Sequence, residues 1–340
     1  MWFAAFRDLV WRRRRYLISV LGTSLVFALS LLMTGMAASF PAEIDTTMDH
    51  LQVADFVVPD GVAGPLTANR PFDPKALPDG VIPMATIVAR IGVDPAVPVT
   101  AFGLGEGAAG LAVDQGRSPS GTDELAVAAG NGWHVGDRVT IAGVPMTVSG
   151  LLPDLSLNAG LPVVVMPLAA FQQAFFDGAP LATAGLAERP GTQAPPGYTT
   201  ITPHDAKADL MGILGDAVST LGLIRILLWI VAGLIVGSVV FLSAVERTRD
   251  FAVFKAIGAS TRGMAGGVIF QGLTVALAST LVGTLLAVVI GPTFPMHVTF
   301  TTAALLTMPA IAITIGLIAS LFGLRRAVRV EPALAFGGAA

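Results

Sequence analysis

Four long apolar stretches constrain this chain more than any other feature: residues 16–38, 221–245, 263–290 and 302–324. A helix crossing a hydrocarbon core of about 30 Å needs roughly 20 apolar residues. Such a backbone must satisfy its own hydrogen bonds, because no water is there to do so. The composition agrees: 54% of the 340 residues are hydrophobic and 13% are charged, against about 25% charged in a typical soluble domain. The third stretch contains Gly266, Gly267, Gly272 and Gly283, and small residues let helices approach closely in lipid. Cysteine is absent, so disulfides, thiolate metal sites and a cysteine nucleophile are excluded.

The charges sort by segment. Arg7 and Arg12 to Arg15 precede the first stretch, Arg247, Arg249, Lys255 and Arg262 separate the second from the third, and Arg325, Arg326 and Arg329 follow the fourth. The acids in those segments are Asp8, Glu246, Asp250 and Glu331, and the other 19 of the 23 acids lie elsewhere. The positive-inside rule then puts both termini and the 246–262 loop in the cytoplasm, and residues 39–220 outside. Arg12–Arg15, the apolar run and Gly35-Met36-Ala37 also resemble a cleavable signal peptide. The run of about 23 residues is longer than a signal core of roughly 7–15. Trp2, Phe6, Leu9 and Val10 share one helical face, so residues 1–15 are expected to form an amphipathic interfacial helix.

The insert, 39–220, is long enough for one core. Strands are expected at 51–58, 82–91, 98–104, 125–128 and 161–166. A hairpin is expected from 138–141 and 146–151 around Ala142-Gly143-Val144-Pro145. A short helix follows with Pro167 at its first position, and 188–198 (ERPGTQAPPGY) reads as a loop. Thr202, Pro203 and Asp205 form a variant capping box. A helix starting there and ending near Arg247 spans some 44 residues, roughly 66 Å, with Gly212 and Gly215 as points of bending. The fold class expected is an α-helical membrane protein with four transmembrane helices and an α+β extracytoplasmic domain between the first and second.

Nothing in the insert points to catalysis. His50, His134, His204 and His297 are scattered without metal-ligand spacing. Asp123-Glu124 reads as a solvent-facing strand start. GLGEGAAG at 103–110 lacks a following Lys-Ser/Thr and reads as a flexible loop, not a phosphate cradle.

The 246–262 loop is richer than a connector requires. In ERTRDFAVFKAIGAS, Phe251, Val253, Phe254 and Ile257 occupy about half of a helical circumference. Glu246, Arg247, Arg249, Asp250 and Lys255 are interspersed, and Gly258 is placed to end the helix. Two exposed phenylalanines suit docking into a partner's groove, and equally a helix lying in the membrane interface.

The same stretch resembles the coupling segment of MacB/FtsX-like ABC transporter permeases, the type VII transporters, whose pattern reads ER-x-x-E-I-G-x-x-[RK]-A-[IL]-G-A. Here Glu246-Arg247, Lys255-Ala256-Ile257 and Gly258-Ala259 match, Asp250 replaces the acid, Phe251 the aliphatic residue and Ala252 the glycine. VGDRVTIAGVPMTVSGLL at 135–152 is similar to that family's GD-x-[VI]-x-[IVL]-x-G-x-x-[FM]-x-V-x-G hairpin. The order of elbow helix, one span, large outer domain and three closing spans is also that family's.

The resemblance implies a permease of the bacterial plasma membrane, paired with an identical or homologous second permease chain and with two ABC ATPase subunits. Coupling to the ATPase would run through Glu246, Arg247, Asp250, Phe251, Phe254, Lys255, Ile257 and Gly258. The chain has no G-x-x-x-x-G-K-[ST], so it is not itself expected to be an enzyme. No cofactor is expected in it, ATP and Mg being bound by the partner. Membrane lipid and an extracytoplasmic adaptor, substrate or hydrolase are further expected partners; nucleic acid is not.

Two functions follow. One is export or extraction of an amphipathic peptide, drug, lipid or lipoprotein by mechanotransmission. The other is FtsX-like signalling to an extracellular cell-wall hydrolase. The insert of about 180 residues favours the first, and a receptor or enzyme without an ATPase leaves the coupling segment unexplained. Phe254→Asp is expected to detach the ATPase without preventing membrane insertion. Co-purification of the ATPase with the variant checks it.

Overall fold

A computed structural model of the chain describes residue 11 and residues 13–67, 70–92, 96–258, 260–294 and 298–328. The expected interfacial helix at 1–15, His297 and the tail from Arg329 fall wholly or mostly outside the described residues. The chain forms two compact units, one built from Met1–Ala38 with Val218–Ala340 and the other from Ser39–Ala217.

The first helix, α1 (Arg13–Leu51), does not stop at residue 38 as expected but continues with Pro41 inside it. The reason is a second apolar stripe: Phe40, Ile44, Met48 and Leu51 recur at helical spacing and are buried. Within the Ser39–Ala217 unit, Ile44, Met48 and Leu51 join one core. Polar groups fix the same face: Thr47 Oγ1 donates to the Ser156 carbonyl at 2.9 Å, and the Gly160 N–H donates to Glu43 Oε2 at 2.9 Å.

Among the described residues eleven strands follow: β1 (Asp55–Pro59), β2 (Val81–Ile91), β3 (Val97–Leu104), β4 (Gln115–Gly116), β5 (Glu124–Ala128), β6 (Arg138–Ile141), β7 (Val144–Leu152), β8 (Ser156–Leu157), β9 (Leu161–Pro167), β10 (Ala184–Ala187) and β11 (Tyr198–Ile201). Helix α2 (Leu168–Phe175) lies between β9 and β10. The sheet order is β11-β1-β10-β2-β3-β9-β5-β7-β4, with β6 bridging β2 and β7 and β8 on β9. Most pairs are antiparallel; β3–β9 and β5–β7 are parallel. Alternate residues feed two cores. Phe102, Ala126, Val163 and Val165 join the core that holds the α1 stripe. Ala101, Leu125, Val127, Val164 and Met166 join a second core capped by Phe171 of α2. Burial on both faces explains why LPVVVMP in β9 is apolar without alternation.

Several local expectations shift. The β6–β7 hairpin turns through two residues, Ala142 (φ 49°) and Gly143 (φ 82°), the primed-turn geometry that matches strand twist. Val144 and Pro145 therefore belong to β7, opposite Ile141 and Thr140. Pro145 lies before the β5 pairing begins at Thr147, so no ladder donor is missed there. Pro167 precedes α2 as its cap, not as its first residue. Strand β1 begins at Asp55 because Leu51 still belongs to α1.

Helix α3 (Pro203–Glu246) is uninterrupted for 44 residues, through Gly212 and Gly215. Its start is capped as the sequence suggests, with the Asp205 N–H donating to Thr202 Oγ1 at 3.2 Å and Thr202 Oγ1 donating to Asp205 Oδ2 at 2.7 Å. Ala206 and Leu210 join the α1-side core, and Lys207 Nζ lies 2.9 Å from Asp45 and 3.5 Å from Asp49 of α1. Both unit boundaries thus fall inside helices.

After the short helix α4 (Thr248–Ala256) come α5 (Thr261–Ile290) and α6 (Thr302–Val328). Among the described residues, four helices are long and apolar enough to cross a membrane: Tyr16–Leu51, Pro203–Glu246, Thr261–Thr293 and Thr302–Leu321. Helices α5 and α6 meet where Gly272 faces Gly316, and a Cβ on Gly272 would lie 2.9 Å from the Gly316 carbonyl oxygen. Gly283 plays the same part against α1, where a Cβ would lie 2.7 Å from the Ser24 carbonyl oxygen. Gly266, by contrast, faces open space. Two buried hydroxyls are satisfied within their own helices, Ser279 donating to Val275 O at 2.7 Å and Ser320 to Gly316 O at 2.6 Å.

The pair Asp123-Glu124 divides. Glu124 opens β5 and accepts from Arg117 Nη1 at 2.7 Å, from Arg117 Nη2, and from the Ser120 and Gly121 N–H groups at 3.1 and 3.3 Å. Hydrogen bonding from Arg117, then from Ser120, holds its carboxyl at about 2, below the ordinary 4.5. The unfolded chain therefore takes up this proton first as pH falls, and acid favours unfolding. Glu124→Gln is expected to lower the melting temperature at neutral pH. Its gap from the parent should close as pH falls from about 4.5 to about 2, which melting curves across that range check.

Candidate coupling segment

Within the 246–262 loop the chain folds as a separate short helix. Helix α3 ends at Glu246, Arg247 leaves helical geometry (φ −97°, ψ 15°), and α4 restarts at Thr248. The break is tied down by Thr248 Oγ1, which donates to the Val245 carbonyl at 2.6 Å. At the far end Gly258 adopts φ +89°, a conformation that only glycine takes readily, and its N–H donates to Lys255 O at 3.2 Å. Ser260 then caps α5 by accepting from the Gly263 N–H at 3.2 Å. Helix α4 is therefore bounded by a defined break on each side. Asp250 in its first turn and Lys255 in its last both complement the helix dipole.

The apolar residues do not share one exposed face as expected. Phe251 is buried at 6% exposure and Ala252 at 0%. They pack with Tyr16 of α1, Val236, Val240 and Ala244 of α3, and Met264 and Val268 of α5. The Arg247 guanidinium lies over the Phe251 ring, 5.6 Å from its centroid, and its Nε is 3.8 Å from Asp250 Oδ2. Val253 and Ile257 are exposed, at 44% and 74%. They are four residues apart and so lie on one face, which Arg249 and the exposed Asp250 extend. Glu246 is exposed and Lys255 half-buried. The Phe254 side chain lies outside what the structure describes.

Behind Phe251 is a polar cluster that the sequence reading passed over. Gln271 Nε2 of α5 donates to Ser243 Oγ of α3 at 2.8 Å and also to the Tyr16 hydroxyl of α1, while Tyr16 and Ser243 are 3.0 Å apart. All three side chains are buried. Interhelical hydrogen bonds of this kind are worth about 0.6 kcal/mol on average in a bilayer, and these tie three helices together at one point. The signal available in the sequence was Gln271 itself, an amide inside an apolar run.

Phe251 thus seats α4 on the helices behind it, leaving Val253 and Ile257 outward. Phe251→Ala is expected to cost about 3 kcal/mol, the lower part of the range for buried Phe→Ala. Ile257→Ala should leave stability nearly unchanged. Thermal unfolding of the two variants in detergent checks the contrast.

Residues 222–332 match the family model described as FtsX-like permease C-terminal. Two uncharacterized ABC transporter permeases of Mycobacterium tuberculosis (strain ATCC 25618 / H37Rv) are each 42% identical to this chain, over 349 and 356 residues, covering 99% of it and 100% of the relative. Among solved structures, the extracellular domain of the noncanonic ABC-type transporter YknZ from Gram-positive bacteria is 15% identical, covering 44% of this chain and 100% of that one, with a TM-score of 0.31. The periplasmic region of MacB from Actinobacillus actinomycetemcomitans is 11% identical, covering 48% and 96%, with a TM-score of 0.35.

Proposed function

The chain belongs to the FtsX-like family of ABC transporter permeases, and on that footing we propose that it couples a separate ATPase to its inserted domain through α4. The observation that carries the proposal is the division of α4 into two faces. Phe251 and Ala252 hold it to the membrane helices, while Val253 and Ile257 face outward beside Arg249 and Asp250. A docked ATPase subunit would press on the outward face. The inward face would pass the displacement to α3, which remains helical from Glu246 to Pro203.

In this reading ATP and Mg are held by the ATPase, and this chain needs no cofactor. Two permease chains, identical or homologous, assemble with two ATPase subunits. The basic flanks and the 246–262 loop lie in the bacterial cytoplasm and the inserted domain lies outside, as the charge distribution favours. Work on the inserted domain then exports or extracts an amphipathic substrate by mechanotransmission.

Pull-down of the tagged chain from native membranes in mild detergent, with mass spectrometry of what accompanies it, tests this. The parent is expected to bring an ATPase subunit, and Ile257→Asp to lose it by about tenfold, as a charge in a desolvated apolar contact does. Retention of the ATPase by Ile257→Asp would mean that the docking face is elsewhere. An extracellular hydrolase arriving with the ATPase would favour the signalling function over transport.

A further inference from the structure

Arg225 is the one charged residue within the four apolar stretches. It sits on α3 with its guanidinium 5.3 Å from the centroid of the Trp229 ring. Its Nε is shielded from solvent and has no hydrogen-bond partner among the described residues. Trp229 is itself held in place, its Nε1–H donating to Ser30 Oγ of α1 at 2.7 Å. Beside the pair is a cavity of about 510 Å³ whose other walls include Met308, Ile311 and Ile315 of α6. That volume falls in the range of about 300–1,000 Å³ that small-molecule sites occupy.

The threonines of this cavity do not compete for an anion. Thr34, Thr307 and Thr314 each donate to a carbonyl of their own helix, those of Ser30, Ala304 and Ala310. Arg225 is therefore the cationic donor of the cavity, and the rest of the wall is largely apolar. A guanidinium in a spanning helix calls for an anionic partner, and it pairs with phosphate oxygens in a bidentate geometry. The apolar wall beside it suits an acyl chain.

We propose that the Arg225 cavity binds an anionic phospholipid, its phosphate on the guanidinium against Trp229 and an acyl chain along Met308, Ile311 and Ile315. The assignment rests on the membrane unit alone and does not depend on how the ATPase docks. A headgroup held there would neutralise Arg225 while bridging α1, α3 and α6.

Native mass spectrometry of the full chain, titrated with phosphatidylglycerol or phosphatidylcholine, tests it. The parent is expected to retain phosphatidylglycerol about tenfold more than phosphatidylcholine, and Arg225→Gln to lose that preference, the size of one charge-assisted contact. Arg225→Lys should keep most of it. Ile311→Trp, which fills the cavity and leaves the cation, should lower binding of phosphatidylglycerol, with melting curves showing whether each variant is folded. Equal retention of both lipids by the parent overturns the proposal, as does an unchanged preference in folded Arg225→Gln. A folded Arg225→Gln that loses self-association with its lipid binding unaltered also overturns it, and assigns the cation to a second copy of the chain.

Discussion

A backbone in hydrocarbon must pair its own N–H and C=O groups, and this condition shapes more of the molecule than any single contact. It makes the four spans helical, and two of those helices do not end where their apolar stretches end. Helix α1 continues to Leu51 and α3 begins at Pro203, each carrying residues into the core of the Ser39–Ala217 unit. The chain therefore enters and leaves that unit in helical form. A loop there would absorb displacement; hydrogen-bonded helix transmits it. Under the proposed function, this continuity is the physical requirement for acting on the inserted domain from the other side of the membrane.

Under the proposed function the same requirement accounts for the unequal faces of α4. A helix that only docked a partner would slide against its own chain when pushed. Burial of Phe251 and Ala252 prevents that, and the Tyr16–Ser243–Gln271 cluster ties together the three helices behind them. Arg247 contributes through packing as well as charge, since its guanidinium covers the Phe251 ring. A family pattern written as a run of similar residues thus contains two kinds: Phe251 holds, and Ile257 faces outward.

Much of the architecture was legible because its causes are periodic or local. The spans announce themselves by length, the Thr202 cap by its spacing to Asp205, and the strands by apolar runs between turn residues. What escaped has different causes. The continuation of α1 was obscured by Pro41 and by three acids, Glu43, Asp45 and Asp49, although Ile44, Met48 and Leu51 carried the helical spacing. Strands β10 and β11 were missed because AGLA and YTTI owe their state to pairing with β1, a partner more than a hundred residues away. Phe251 was assigned to the wrong face because sequence spacing defines an angle around the helix but not which side meets the protein.

Several polar residues inside the spans follow one further rule. Ser279, Thr280 and Ser320 turn back to their own helices, Gln271 pairs across helices, and Trp229 donates to Ser30. Each is satisfied by protein, so none creates a demand on the surroundings. Among the described residues Thr23 Oγ1 is also buried without a partner, and Arg225 differs from it in carrying a charge that a single aromatic face does not balance. In an apolar medium an uncompensated cation raises the energy of every state that exposes it. An anion that follows Arg225 would therefore favour whichever arrangement of α1, α3 and α6 keeps the cavity closed around it. Arg225 lies on the same helix that ends next to α4, so under the two proposals lipid occupancy and displacement of α4 would bear on one continuous element.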